Sequence, residues 1–320
     1  MNIVVLEGYP LNPGDLSWDE LKKLGNIKIY NKTKNEDVLK RIGDAEAVFV
    51  NKSELTEEIF EKASNLKYVG VLATGFDNIN VKSAKKNNVV VTNVPSYGTS
   101  SVAQFVFALL MEMIYHVKEH DQAVKKGEWE QSESFCFWKY PLIELKDKKF
   151  GIIGYGRIGK ETAKIAKALG MNVLAYTRTP CKSLEDKNLK FVDLDELLRE
   201  SDIISLHSPL IKETEGIINK EAISKMKKNV MIINTARGSL IVEKDLAYAL
   251  NKGKIKAAAS DVLTQEPPNM DNPLLKARNM IVTPHIAWAP KEARERLMKT
   301  AVYNFKEFLK GNRVNTINLQ

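Results

Sequence analysis

Short apolar runs recur through the first ninety-odd positions, at Ile3–Leu6, Ile27–Tyr30, Ala47–Val50, Tyr68–Leu72 and Val89–Thr92. Between them lie mixed stretches with helical period: Asp15–Leu24, Asn35–Ile42, Thr56–Ala63 and Val81–Asn87. The runs read as strands and the mixed stretches as amphipathic helices. Strand, helix and strand in succession predict a parallel sheet covered by helices on both faces.

The pattern changes at Ser100–Val124, a long helix whose centre, VAQFVFALLMEMI, is so apolar that it must be buried. Ser100 or Ser101 would cap it. Trp129, Phe135, Phe137 and Trp138 then crowd one loop, Gly127–Tyr140, and read either as a lid over a core or as an interface patch. A second α/β unit begins at Lys149. Its strands are predicted at Phe150–Ile153, Asn172–Tyr176, Ile203–Leu206, Val230–Asn234, Ala257–Asp261 and Met280–Thr283. Helices Lys160–Leu169, Leu194–Glu200 and Lys244–Asn251 fall between them, and a last helix, Ala293–Lys310, follows the turn at Pro290. That helix is placed back on the first unit, which would make the first unit discontinuous in sequence.

Composition narrows the class. Apolar residues make up 44% of the 320 positions, enough for one large or two ordinary domains. The net charge of +8 comes from lysines spread along the chain and mixed with Asp and Glu, with no arginine-rich arm. It suits anionic small molecules better than nucleic acid. Cys136 and Cys181 fit no metal or disulfide spacing, so no metal site is expected and a reduced, cytoplasmic setting is the default. No apolar run is long enough to span a membrane, and the first residues, MNIVVLEGYP, do not read as a secretory signal.

The first chemical signal is GIIGYGRIGK, in which Gly154, Gly156 and Gly159 form G-x-G-x-x-G between a predicted strand and a predicted helix. In that context the first glycine permits the tight turn, the second lets the backbone approach a pyrophosphate, and the third allows close helix–strand packing. The helix N-terminus adds free N–H groups and a positive dipole end. An acid at the end of the next strand normally binds the ribose 2′-hydroxyl. Thr177 stands there instead, followed by Arg178 and Thr179. An arginine flanked by hydroxyls suits a 2′-phosphate, which favours NADP over NAD. The other reading is that Arg178 stacks on the adenine and NAD is used.

Three charged residues follow successive predicted strands: Arg237 in NTARGSL, Glu266 in DVLTQEPP and His285 in TPHIAW. Carboxyl ends of parallel strands face the ligand crevice. A guanidinium grips a carboxylate through two parallel hydrogen bonds. A histidine can protonate a ketone oxygen as hydride reaches the carbon, and a carboxylate beside such a histidine favours its charged form and fixes its tautomer.

Across nearly its full length the chain resembles the D-isomer-specific 2-hydroxyacid dehydrogenases. The matching segments are VLATGFDNINV, the glycine loop, DIISLHSPLIKET, IINTARGSLIVEKDLAYAL, DVLTQEPP and TPHIAWAP. The resemblance implies an α/β fold of two Rossmann-like, doubly wound parallel-sheet domains with a cleft between them. Residues 1–98 and 289–320 would form a flavodoxin-like substrate domain, and residues 99–288 a dinucleotide-binding domain. Arg237, Glu266 and His285 would be catalytic. Val102, Arg157, Ile158, His207, Pro209, Thr214, Thr235 and Ala236 would join the glycine loop and Thr177–Thr179 around NAD(P), with Asp261 on the nicotinamide amide. Leu72, Ala73, Thr74 and Gly75 would cradle the substrate carboxylate, and Asn51, Lys52 and Trp288 would also touch substrate. A homodimer through the long helix and the aromatic loop is implied as well. NKSELT, SVAQ and the Ala287–Trp288 pair are similar to glycerate dehydrogenases, also called hydroxypyruvate reductases. The expected reaction therefore joins hydroxypyruvate and D-glycerate. Reduction of glyoxylate or another 2-keto acid is the alternative on the same frame, and a dinucleotide-sensing corepressor is the alternative of another class.

Overall fold

The computed structural model describes residues 1–318. The chain divides into two compact units, one made of Met1–Gly98 and Trp288–Gln320, the other of Thr99–Ala287. Trp288 thus falls in the first unit rather than the second. Its ring meets Tyr97 edge to face at 6.4 Å, against the same core that holds Leu297 and Phe305.

The first unit is a five-stranded, wholly parallel sheet. Its strands are β1 (Asn2–Val5), β2 (Asn26–Ile29), β3 (Ala47–Val50), β4 (Tyr68–Val71) and β5 (Val90–Thr92). They lie in the order β2-β1-β3-β4-β5, so the winding reverses between β1 and β3. Side chains alternate between two buried faces, as strand geometry requires. Val4, Val48 and Val50 enter one core; Ile3, Val5, Ala47 and Phe49 enter the other. Helices α1 (Asp19–Lys22), α2 (Val38–Ile42), α3 (Glu57–Lys62) and α4 (Val81–Lys86) are short. The C-terminal helix, Lys291–Leu309, covers the second face with Leu297, Ala301 and Phe305.

The helix expected at Asp15–Leu24 shrinks to α1. Local side-chain bonds and one long-range contact commit the residues before it to a loop. The Asn12 side chain accepts from the backbone N–H of Gly14 and Leu16. Asp15 takes a two-pronged contact, 2.7 Å on each arm, from the buried Arg294 guanidinium.

The second unit begins with α5 (Thr99–Tyr115) and α6 (Val117–Lys125). These replace the single helix expected over Ser100–Val124. The chain bends by 50° at His116, whose backbone is left-handed with φ of 47°. The imidazole of His116 lies 4.2 Å from the Tyr140 ring, centroid to centroid. No single helix among the described residues is long and apolar enough to cross a membrane. The Gly127–Tyr140 loop is tied down by Lys139, whose N–H donates to His120 at 3.1 Å and whose ammonium pairs with Glu128 at 2.7 Å. Its aromatics are no lid over an internal core. Phe135 is 88% exposed and Trp138 65%.

The sheet of this unit has seven parallel strands. They are β6 (Lys149–Ile153), β7 (Asn172–Tyr176), β8 (Leu189–Phe191), β9 (Ile203–Leu206), β10 (Val230–Asn234), β11 (Ile255–Ser260) and β12 (Met280–Val282). The order is β12-β11-β10-β9-β6-β7-β8, the doubly wound dinucleotide order with its reversal between β6 and β9. The strand β8 escapes the apolar pattern because LKF is short and only Leu189 is fully buried. Helix α7 (Arg157–Ala168) packs with α5 on one face, where Phe107 stacks on Phe150 at 5.7 Å. Helices α8 (Leu194–Glu200), α9 (Lys220–Lys225) and α10 (Glu243–Asn251) cover the other.

Candidate active site

The glycine turn sits at the reversal point of the larger sheet. Gly154 has φ of 101°, and a Cβ there would lie 2.5 Å from the Ser208 backbone nitrogen, so only glycine fits between the ends of β6 and β9. A Cβ on Gly159 would lie 2.2 Å from the Gly154 carbonyl oxygen, which fixes the close approach of α7 to the strand. Gly156 is different. A Cβ there would meet no protein atom within 4 Å, so packing within the chain does not explain the glycine. It caps the start of α7, where Arg157 and Lys160 are exposed and no side chain caps the N–H groups. An open backbone followed by uncapped helix donors could hold a pyrophosphate.

The other coenzyme candidates lie in the same unit. Thr177 is half-buried, and Arg178 and Thr179 are exposed, all just beyond β7. His207 follows β9, its Nε2 lies 2.9 Å from the Ser205 hydroxyl, and withdrawal from water pushes its pKa down to about 3. It is therefore a neutral ring at physiological pH. The Thr214 hydroxyl closes its own turn, donating to the Pro209 carbonyl at 2.7 Å and accepting from the Ile211 N–H at 2.9 Å. Val102 is buried on α5.

Beyond β10, Asn234 builds the turn that carries Thr235, Ala236 and Arg237. Its buried amide oxygen accepts from the Ala236 N–H at 3.0 Å, and its amide nitrogen donates to the Arg237 carbonyl at 2.8 Å. Arg237 is half-buried and donates through Nη1 to the Ala236 carbonyl at 2.8 Å. Gly238 then presses on the next loop. A Cβ there would lie 2.0 Å from the Leu263 carbonyl carbon. Leu263 in turn donates its N–H to Glu266 Oε1 at 3.2 Å. Backbone contact at Gly238 thus ties the loop of Arg237 to the loop of Glu266.

Glu266 Oε2 lies 2.7 Å from His285 Nδ1, both side chains being about three-tenths exposed (27% and 29%). Among the described residues none hydrogen-bonds His285 Nε2. His285 is itself left-handed, with φ of 55°. Asp261, buried at the end of β11, holds that backbone. Its carboxylate accepts from the Thr283 hydroxyl at 2.6 Å and from the N–H groups of Ile286 at 2.9 Å and Ala287 at 2.8 Å. The family resemblance implies that Asp261 holds the nicotinamide amide; in the fold its carboxylate clamps the loop of His285. Neither this clamp nor the Asn234 turn is signalled by a motif, although an Asn or Asp at a strand end is a turn builder by chemistry.

In the first unit, the segments proposed for substrate follow β3 and β4. Asn51 donates through its amide to the Leu72 carbonyl at 2.7 Å. The Ala73 carbonyl accepts from the Val94 N–H at 3.0 Å, and the Thr74 carbonyl from the Asn93 amide at 2.7 Å. With these carbonyls tied, the N–H groups of Ala73, Thr74 and Gly75 donate to none of the described residues. Such a row of free donors fits a carboxylate. Lys52 is exposed and Trp288 half-buried.

A glycine turn at the reversal point of a doubly wound sheet, with an acid-paired imidazole at neighbouring strand ends, defines an oxidoreductase that works on a nicotinamide dinucleotide. Residues 107–287 match the D-isomer specific 2-hydroxyacid dehydrogenase, NAD binding domain. A hydroxypyruvate reductase of Blautia hydrogenotrophica is 56% identical over 321 residues, covering 99% of this chain and 100% of that protein. Two solved structures are similar along the whole fold. One is an acyclic imino acid reductase in complex with NADPH and D-Arg, with a TM-score of 0.86, 33% identity and coverage of 99% and 100% of the two chains. The other is a D-lactate dehydrogenase from Aquifex aeolicus complexed with NAD and lactic acid, with a TM-score of 0.84, 33% identity and coverage of 98% and 96%. The chain belongs to the D-isomer-specific 2-hydroxyacid dehydrogenase family.

Proposed function

We propose that the protein interconverts hydroxypyruvate and D-glycerate, with Arg237, Glu266 and His285 as its catalytic set. The observation that carries the reading is the 2.7 Å pairing of Glu266 with His285 Nδ1, in a chain that matches a hydroxypyruvate reductase end to end. When bound, the nicotinamide supplies the hydride that reduces the keto carbon. His285 Nε2 donates the proton that turns the keto oxygen into a hydroxyl. Glu266 holds the imidazole in the tautomer and direction this needs. The Arg237 guanidinium pairs with the substrate carboxylate and draws electron density from the keto oxygen. Ala73, Thr74 and Gly75 offer N–H donors to the carboxylate, whereas the N–H of Leu72, expected in the same cradle, is spent on the Val50 carbonyl at 2.7 Å; Asn51, Lys52 and Trp288 are assigned the remaining substrate contacts. A panel of hydroxypyruvate, glyoxylate, pyruvate and longer 2-keto acids, each with NADH and NADPH, tests this. Hydroxypyruvate is expected to give the highest kcat/KM; a clear preference for another acid would overturn the substrate assignment.

The coenzyme is inferred to be NADP(H) in preference to NAD(H). At the end of β7 an aspartate would repel a 2′-phosphate, and Thr177 does not. Arg178 is exposed beside it and able to pair with a dianion. Charge-assisted hydrogen bonds are worth about 1.5–3 kcal/mol, or about tenfold to hundredfold in preference. Arg178→Ala is expected to weaken NADPH selectively, and Thr177→Asp to shift preference toward NADH. The readout is the ratio of kcat/KM for the two coenzymes, and a ratio that Arg178→Ala leaves unmoved would remove the phosphate site.

The exposed ring surface of Phe135 and Trp138 supports a homodimer through α5, α6 and the loop after them, since aromatic patches of this kind mark protein contacts. Sedimentation of wild type against Trp138→Glu is expected to show a dimer turned to monomer.

A further inference from the structure

The first unit holds a buried carboxylate that this chemistry does not use. Glu7 lies just beyond β1 and is only 6% exposed. It accepts from the backbone N–H of Asn51 at 2.9 Å, from the N–H of Ser53 at 2.6 Å and from the Ser53 hydroxyl. These bonds run from the end of β1 to the end of β3, where the strand order reverses. Open α/β sheets bind ligands at such a point. Here the protein fills it with its own anion. From the other side, the Asn78 amide donates to the carbonyls of Asn51 at 3.3 Å and Ser53 at 2.8 Å. The residues flanking Lys52 are therefore gripped by both their N–H and their C=O groups, while Lys52 itself stays exposed. Asn51 extends the same network to the Leu72 carbonyl.

A buried carboxylate is costly unless it is fully hydrogen-bonded, and a neutral acceptor would brace a purely structural turn at lower desolvation cost. We propose that Glu7 is a positioning residue that presets the Asn51–Ser53 turn, so that the Lys52 ammonium meets the oxygens of an anionic 2-keto acid without ordering the loop at each binding event. The proposal rests on the substrate role given to Lys52 above. Prior ordering of the backbone lowers the entropy lost on binding, so its removal raises KM more than it lowers kcat.

A double-mutant cycle on the full-length enzyme tests it, using Glu7→Gln, Lys52→Ala and the pair, with hydroxypyruvate titrated at saturating reduced coenzyme. Glu7→Gln is expected to raise KM about tenfold with kcat changed by less than about threefold, and coenzyme affinity is expected to hold. In the Lys52→Ala background the same change is expected to add less than about twofold, because the two residues act as one unit. Effects that multiply, or a Glu7→Gln enzyme with unchanged KM, would overturn the proposal. Should Glu7→Gln fail to fold, Ser53→Ala removes one donor and leaves the carboxylate its backbone partners. KM is then expected to rise about threefold, and only when Lys52 is present; an unchanged KM again overturns it. Wild-type turnover tests the substrate assignment separately. If another 2-keto acid is the better substrate, the same cycle run with that acid still decides the role of Glu7.

Discussion

Replacing His285 by glutamine is expected to lower kcat by about 10²–10⁴-fold while leaving dinucleotide affinity nearly intact. In the proposed reaction the imidazole donates the proton, so its contribution is made as the keto oxygen gains charge and not in the ground state. The glycine turn proposed for the coenzyme lies elsewhere on the sheet, at the β6–β9 reversal, and owes its shape to Gly154 and Gly159. Glu266→Gln keeps an oxygen able to accept from Nδ1 but loses the charge that complements the imidazole. It is expected to fall between wild type and His285→Gln. Steady-state turnover with hydroxypyruvate, together with coenzyme titration by fluorescence, separates chemistry from binding. A glutamine variant that kept wild-type turnover would remove His285 from the reaction.

Much of where the candidate residues stand on the sheet was legible in the sequence, for a physical reason. The glycine turn, Arg237, Glu266 and His285 each follow a short apolar strand, and a parallel sheet carries every strand's carboxyl end to the same edge. Apolar period therefore located both the sheets and the rim on which the candidate residues stand. What stayed hidden depends on side chains meeting across the fold. Arg294 reaches Asp15 over most of the chain length and turns an expected helix into a loop. His116 breaks a continuous apolar helix by adopting a left-handed backbone that no periodicity reveals. Glu7 sits in a strand-like run and reads as one more polar residue, yet its carboxylate organises a turn more than forty residues away (|i−j| of 44 and 46). Asp261 was legible as a polar residue at a strand end, but the direction of its carboxylate was not.

That direction sets the second large effect. Asp261→Ala is expected to destabilise the dinucleotide unit and to disable the site together. In the native fold three donors converge on the carboxylate: the Thr283 hydroxyl and the N–H groups of Ile286 and Ala287. A buried donor left without a partner costs about 1–3 kcal/mol; the Ala287 bond is buried and the other two part-buried, so the three together should cost about 3 kcal/mol. For a unit of this size that corresponds to a fall in Tm of about 6–12 °C. The same bonds hold His285 in a left-handed backbone that costs a non-glycine residue about 1–2 kcal/mol. Without them the loop relaxes toward ordinary φ, and the imidazole leaves Glu266. Turnover should then drop steeply even at temperatures where the variant is fully folded. A residue whose only task was to hold the nicotinamide amide would behave differently: its loss would weaken coenzyme binding and leave Tm unchanged. Thermal unfolding without coenzyme therefore distinguishes the two roles, and an Asp261→Ala protein as stable as wild type would show that the clamp does not hold the loop.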